Sequence, residues 1–146
     1  MSKVRAEIDI DAPVEEVFAF FDDVANAAVL VAGLISIDQV DPLKTGGRRV
    51  EYTVQNRRGE PVGSSSEHLE HDPPRRTVTK GVQAGVTTTS TRDFVATTSG
   101  STRVIATVEW AVPIKFVANI VTAPLRGPLK RSLRASLSAA KAAIET

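Results

Sequence analysis

The chain has 146 residues, a formal net charge of +1 and no cysteine, so we expect residues 1–146 to form one domain around a single core. The missing cysteine excludes disulfides and thiolate chemistry, and the near-zero charge gives no general attraction to nucleic acid. No segment has the roughly 20 apolar residues of a membrane span and no signal-peptide pattern opens the chain, so we expect a cytoplasmic protein.

The first predicted strand and helix follow each other almost directly. Apolar and charged residues alternate over Val4–Ile10, which is typical of a strand with one buried face. Asp11 offers a side-chain acceptor to free helix amides, and Pro13 suits a first helical turn. Apolar residues then recur at helical spacing as far as Phe21, so this helix packs inward. A second short helix is predicted over about residues 24–31.

Six further strands are predicted between Gly33 and Ala111, each bounded by a turn signal. β-Branched residues are frequent in these segments, and the short connections predict antiparallel neighbours. Ser64–Ser66 and Thr87–Thr91 are unusually polar for strand interiors. The predicted strands cover residues 34–40, 49–55, 61–70, 77–83, 86–96 and 101–110.

The C-terminal part changes to a helical period. A stripe through Leu133 and Leu137 predicts a long amphipathic helix from Pro128 onward, with its apolar face on the sheet. We call the residues off this stripe the basic face; it is either a solvated surface or a contact for an anionic membrane, RNA or protein partner. The basic face consists of Arg126, Lys130, Arg131, Arg134 and Lys141.

The segment before this helix is harder to assign. Pro124 and Pro128 are expected to interrupt helical continuity, so residues 114–123 form either a short helix or an irregular lid. Phe116 would face a ligand if the segment is a lid, and would be an ordinary core residue otherwise.

The element order predicts an α+β protein: one strand, two short helices, six strands and a long helix. A curved seven-stranded antiparallel sheet would wrap around the long C-terminal helix and leave a gap, because the sheet is too wide for one helix to fill. This order, with the motifs at Ile8–Phe18, Glu70–Arg75, Gly100–Val104 and Lys141–Glu145, resembles the START/polyketide cyclase-like (SRPBCC) superfamily and its polyketide cyclase/dehydrase branch. The resemblance covers essentially the whole chain and implies the helix-grip fold with an internal cavity.

One feature departs from that superfamily. Many relatives carry a tryptophan after the first helix, whereas this chain has Asn26–Leu30 there. We therefore expect the mouth of the cavity to be lined differently.

The two histidines, His68 and His71, lie among acidic residues and are candidates for metal binding or acid–base chemistry. Residues three apart in a regular strand point to opposite faces, so one metal cannot easily take both, and we predict no metal site. Both are more simply explained as surface histidines near a strand end. His68 is the better candidate, because it shares a face with Ser64 and Ser66.

Three other side chains are candidates for a pocket. In the strand over residues 86–96, Arg92 either faces inward with Phe94, where it would bind a carboxylate or phosphate, or has the opposite parity and lies in water. Tyr52 and Trp110 fall on apolar strand faces. They are either core residues or pocket residues with a polar group that needs a partner.

The leading hypothesis is binding of a hydrophobic or mixed polar/apolar small molecule, such as a lipid, polyketide or aromatic compound, without a cofactor. We expect a cavity above roughly 300 Å³ between the sheet and the C-terminal helix. The first alternative is a cyclase- or dehydratase-like enzyme using Tyr52, His68 and Arg92, although no complete catalytic set is present. The second is a protein-interaction module using the basic face. The predicted ligand-binding residues are Tyr52, His68, Arg92, Phe94, Trp110, Phe116, Leu133 and Leu137.

Overall fold

A computed structural model describes residues 2–111 and 123–146 of the chain. A single 3-10 turn at Val24–Asn26 lies between the first two helices. The strands match the predicted segments closely, with the largest extensions at the ends of β2 and β4. The elements are β1 (Ser2–Ile10), α1 (Val14–Asp22), α2 (Ala27–Leu30), β2 (Leu34–Pro42), β3 (Arg48–Gln55), β4 (Pro61–Asp72), β5 (Arg76–Gln83), β6 (Val86–Ala96), β7 (Thr102–Ala111) and α3 (Ala123–Glu145).

The seven strands form one antiparallel sheet in the order β1-β7-β6-β5-β4-β3-β2. Strands β2 to β7 follow one another through short connections, as the turn signals predict. The first strand pairs with the last, with Ser2 opposite Trp110 and Ile10 opposite Thr102. This pairing confirms the predicted α+β class and its seven-stranded sheet.

The core lies between the sheet, α1 and α3. Helix α3 packs on β1, α1 and α2, and its Leu137 is 2% exposed. Phe18 of α1 meets Phe94 of β6 edge to face, with ring centroids 5.0 Å apart. The buried Thr102 hydroxyl donates to the Ala12 carbonyl oxygen at 2.8 Å and ties β7 to the β1–α1 connection.

Two local predictions about the helix starts are wrong. Helix α3 begins at Ala123, so neither proline interrupts it. Pro124 lies in the first turn, where amides have no helical partner, and Pro128 removes only one internal hydrogen bond. At α1 the capping position is Pro13 and no side chain caps the helix. Asp11 instead donates its backbone N–H to the Glu145 carboxylate at 2.9 Å, which joins β1 to the end of α3.

The remaining predictions for the C-terminal part concern the basic face and the lid. Arg126, Arg131 and Arg134 are exposed on α3, off its buried stripe, as expected for the basic face. The predicted lid, including Phe116, lies outside the described residues. No helix in the described ranges is both long and apolar enough to cross a bilayer.

Candidate functional site

A cavity of about 240 Å³ lies between the inner face of the sheet and the segment from Phe21 to Val31. It is smaller than expected, since drug-sized pockets begin near 300 Å³, but larger than the ~150 Å³ cavity that holds benzene. It lies against the α1–α2 segment, and no described residue of α3 lines it, so a location against the C-terminal helix stays a prediction. Leu137 and Ala140 of α3 pack into the core instead and fill the space on that side.

The cavity has two chemically different walls. The apolar wall is formed by the connection after α1, by α2 and by the inner side of β2 and β3; it includes Val24, Ala27, Leu30, Val31, Ile37 and Val50. The hydroxyl wall is the inner face of β3 to β6; it includes Tyr52, Ser66, Thr77, Thr79, Thr88 and Ser90. The unusually polar strand segments therefore supply one side of the cavity. Such a space suits a ligand with an apolar body and polar substituents.

His68 lies on the hydroxyl wall as a neutral ring of defined tautomer. The backbone N–H of Arg48 donates to His68 Nδ1 at 3.0 Å, so in the neutral ring the proton is on Nε2. Burial, reinforced by the neighbouring Arg48, His71 and Arg92, lowers the pKa of His68 to about 4, although Asp22 opposes this effect. His68 is therefore a hydrogen-bond donor through Nε2, and it is uncharged at neutral pH.

The glycines before β3 allow this arrangement. A Cβ at Gly47 would lie 2.5 Å from the His68 Cβ and 2.6 Å from its Nδ1, so only glycine leaves room for the ring. A Cβ at Gly46 would lie 3.9 Å from the His71 Nδ1. From sequence, this Gly-Gly pair is a turn; in the structure it also packs over both histidines.

The predicted opposition of the two histidines is wrong because β4 contains a bulge. The register against β5 shifts between His68 and Glu70, so that His68 pairs with Thr79 and His71 with Thr77. Both histidines consequently face the inner side, with ring centroids 5.0 Å apart. Neither is the surface histidine that we expected: His68 is half-buried, and the His71 side chain is 11% exposed.

His71 belongs to a charged cluster that joins α1 to β3 and β4. Its Nε2 lies 2.9 Å from Asp22 Oδ1, and Arg48 Nη1 lies 3.5 Å from the same oxygen. Arg48 also donates to the Asp22 carbonyl oxygen, at the end of α1. Across the described ranges, no three His, Asp or Glu side chains are placed to hold a metal ion. The cluster holds α1 against the sheet, and its Arg48 also lines the cavity.

Arg92 faces inward, which resolves the two parities left open by the sequence. It lines the cavity together with Thr88 and Ser90 of the same strand. Its guanidinium carbon lies 5.1 Å from the centre of the Phe21 ring, a cation–π contact. Burial lowers the pKa of Arg92, although a guanidinium stays charged at any ordinary pH.

The other predicted ligand-binding residues lie in different places. Tyr52 lines the cavity, and burial raises the pKa of its phenol. Phe94 and Trp110 are 4% and 1% exposed and lie outside the cavity lining. Leu137 is in the core with Leu133 packed against it. Ligand contact by any of these residues stays a prediction, as it does for Phe116.

Several residues of the site were missed from sequence. Neither Asp22 nor Arg48 was singled out from sequence, and Arg48 directly precedes the predicted strand of residues 49–55. Phe21 was assigned to a core-facing helical stripe, which is correct, but its ring also borders the cavity. The sequence signal that could have found Arg48 is its position directly after Gly46 and Gly47, at the start of a strand.

The comparisons with known proteins agree with this architecture. The fold is similar to that of TTHA0849 from Thermus thermophilus, with a TM-score of 0.79, 19% identity, and coverage of 98% of this chain and 97% of that one. The Zhui aromatase/cyclase from Streptomyces sp. R1128 gives a TM-score of 0.72 at 18% identity, covering 99% of this chain and 93% of that one. The di-domain ARO/CYC BexL from the BE-7585A biosynthetic pathway gives 0.77 at 20% identity, covering 99% of this chain and 50% of that one.

No curated protein matches the sequence. At identities near 20%, the solved structures establish only a shared fold. The family assignment comes from the sequence itself, because the family described as polyketide cyclase / dehydrase and lipid transport matches residues 1–145. The chain therefore belongs to the polyketide cyclase/dehydrase and lipid transport family.

Proposed function

We propose that this protein binds a small organic molecule with an apolar body and polar substituents in the cavity between the sheet and the α1–α2 segment. The observation that carries the proposal is the pairing of an apolar wall with a hydroxyl wall around about 240 Å³. Shape and chemistry both select the ligand: the apolar wall excludes strongly hydrated molecules, and the hydroxyl wall offers donors and acceptors to polar groups. The family description, which includes both cyclases and lipid transport, supports the same class of ligand.

The size of the cavity narrows this class. Its volume equals the share of roughly eight water molecules in the liquid, and it exceeds the space that one benzene ring requires. A compound with one or two rings fits this volume. We therefore favour an aromatic compound of that size over a long-chain lipid among the ligands considered from sequence.

A second candidate function is an enzyme that acts on a carbonyl compound in the same cavity. The observation that favours it is the fixed tautomer of His68, whose Nε2–H could stabilise an oxyanion that develops on the substrate. A neutral histidine of this kind acts as an electrophile, and it cannot accept a proton at Nε2. A cyclase- or dehydratase-like reaction would therefore need its base elsewhere; Asp23 is a carboxylate at the cavity lining.

Native mass spectrometry of the purified protein, followed by ligand-observed NMR with a panel of one- and two-ring compounds, tests the binding proposal. The matched variants are Gly81→Val and Gly63→Val, both in strands. Gly81 lines the cavity and a Cβ there would lie 3.0 Å from the Thr88 hydroxyl, whereas a Cβ at Gly63 would meet nothing within 4 Å.

We expect binding by the wild type and by Gly63→Val, and its loss in Gly81→Val. Wild-type protein that neither retains a small molecule nor binds any compound of the panel would refute the proposal. So would a Gly81→Val variant that is folded and binds as well as the Gly63→Val control.

A further inference from the structure

We propose that the ligand of this cavity is an organic carboxylate and that Arg92 selects it by binding the carboxylate group. This inference rests on the proposed function and deepens it, since it assigns a charge to the ligand and a specificity-determining residue to the cavity. The family and the fold leave both open.

Arg92 has no acidic partner in the described part of the chain. The nine ion pairs found there do not include Arg92. Its neighbours in the sheet are Thr77 on β5 and Ala106 on β7, and neither carries a charge. The adjacent Asp93 pairs with Arg76 at 3.4 Å, on the opposite face of the sheet.

The carboxylates near the cavity already have other partners. Asp22 is shared between Arg48 and His71. Asp23 lies at the exposed rim, where its side chain accepts a hydrogen bond from the Ala25 backbone N–H at 2.9 Å. Among the described residues, no carboxylate therefore compensates the positive charge of Arg92 in the cavity.

The lowered pKa of His68 is consistent with this, because Arg48 and Arg92 are among the charges that disfavour its protonation.

A charge in a desolvated position is unfavourable unless it is paired, and the contact with Phe21 compensates only part of this cost. A carboxylate complements the guanidinium better than any neutral group, since it accepts two charge-assisted hydrogen bonds from the planar fork. The apolar wall would then hold the ring of the ligand, and the hydroxyl wall its remaining polar groups.

The test compares two ligands of nearly equal shape, 2-naphthoate and 2-naphthamide, by isothermal titration calorimetry at neutral pH. We expect wild-type protein to bind the carboxylate at least tenfold more tightly than the amide, as charge-assisted hydrogen bonds are about twice as strong as neutral ones. In Arg92→Gln this preference should fall below about threefold. The control Arg103→Gln removes an exposed arginine that is paired with Asp9 outside the cavity, and it should keep the preference.

The thermal unfolding midpoint separates ligand recognition from a structural role of Arg92. Removing a half-buried charge without a carboxylate partner should leave the midpoint of Arg92→Gln unchanged or raise it, whereas a lower midpoint would mean that Arg92 stabilises the fold and would contradict the inference. If Arg92→Gln does not fold, the inference is overturned unless Arg92→Lys folds, keeps the charge without the fork, and shows a preference between the wild-type and neutral values.

The outcomes distinguish the two proposals. Equal binding of naphthoate and naphthamide by the wild type would refute the carboxylate inference and leave the proposed function intact. Binding of neither compound, together with a negative result for the wider panel, would refute the proposed function and this inference with it.

Discussion

The neutral state of His68 should appear as a pH dependence of stability. In the unfolded chain the imidazole has its ordinary pKa of 6.5, whereas in the folded protein the pKa is about 4. Between these values the unfolded state binds more protons than the folded state, so the free energy of unfolding falls as the pH is lowered. This contribution to stability is fully present above pH 6.5 and is lost progressively down to pH 4.

The magnitude follows from the shift of the pKa. The full difference corresponds to about 3 kcal/mol, of which about 2 kcal/mol is lost between pH 7 and pH 5. His68 lines a cavity that water can reach, and this screening weakens the effect of the surrounding charges. We therefore expect a loss of about 1 to 2 kcal/mol over this pH interval. The groups responsible lie on four elements: Asp22 on α1, Arg48 on β3, His71 on β4 and Arg92 on β6.

The assay is urea denaturation of wild-type protein and His68→Asn at pH 7, 6 and 5. Asparagine is a suitable replacement because its side-chain oxygen can accept the hydrogen bond from the Arg48 backbone N–H, yet it does not titrate. Groups away from His68 titrate equally in both proteins, so the difference between the two pH dependences comes mainly from His68. The wild type should lose about 1 to 2 kcal/mol more than the variant.

Parallel pH dependences of the two proteins would refute the reasoning, since they would mean that the His68 pKa is the same in the folded and unfolded states. A steeper pH dependence in the variant would refute it as well. It would place His68 beside a net negative charge, which contradicts the positive charges assigned to its surroundings.

Three further substitutions test the packing around the site. Asp22→Asn leaves the half-buried Arg48 without its carboxylate partner, and we expect urea denaturation to show a loss of about 1 to 3 kcal/mol. Thr102→Val removes a fully buried hydrogen bond and should cost about 1 to 2 kcal/mol by the same measurement; an unchanged midpoint would contradict the assigned bond. Gly47→Ala forces the His68 ring to move and should shift its NMR signals while costing about 1 to 3 kcal/mol; unperturbed ring signals would contradict the close packing.

The sheet could be predicted from sequence because its signals are local and repeated. Alternating apolar residues, glycine turns and short connections predict all seven strands, the first from the alternation over Val4–Ile10. The pairing of β1 with β7 has no local signal and was not predicted from sequence. The start of α3 was missed because the rule that proline interrupts a helix does not apply to Pro124 in the first turn, and Pro128 removes one internal hydrogen bond without ending the helix.

The site was harder to predict because its geometry depends on one irregularity. The alternation of strand residues holds through His68, and from there it assigns His71 to the wrong face. The bulge between His68 and Glu70 brings the histidines together, and no residue type in this segment requires a bulge. Arg48 and Asp22 were missed because a pairing between residues 26 positions apart in the chain leaves no periodic pattern.

The threonines on the inner face of the sheet show why the sequence predicts the fold more readily than the cavity. Thr77, Thr79 and Thr88 are β-branched, so they favour strands as valine does, while their side chains line the cavity. A polar wall can thus be built without weakening the sheet, and the core is left to Phe94, Leu137 and their neighbours. Strand propensity does not distinguish threonine from valine, so the sequence pattern predicts the sheet equally well with either residue. Only the fold reveals that these threonines and Arg92 line one cavity.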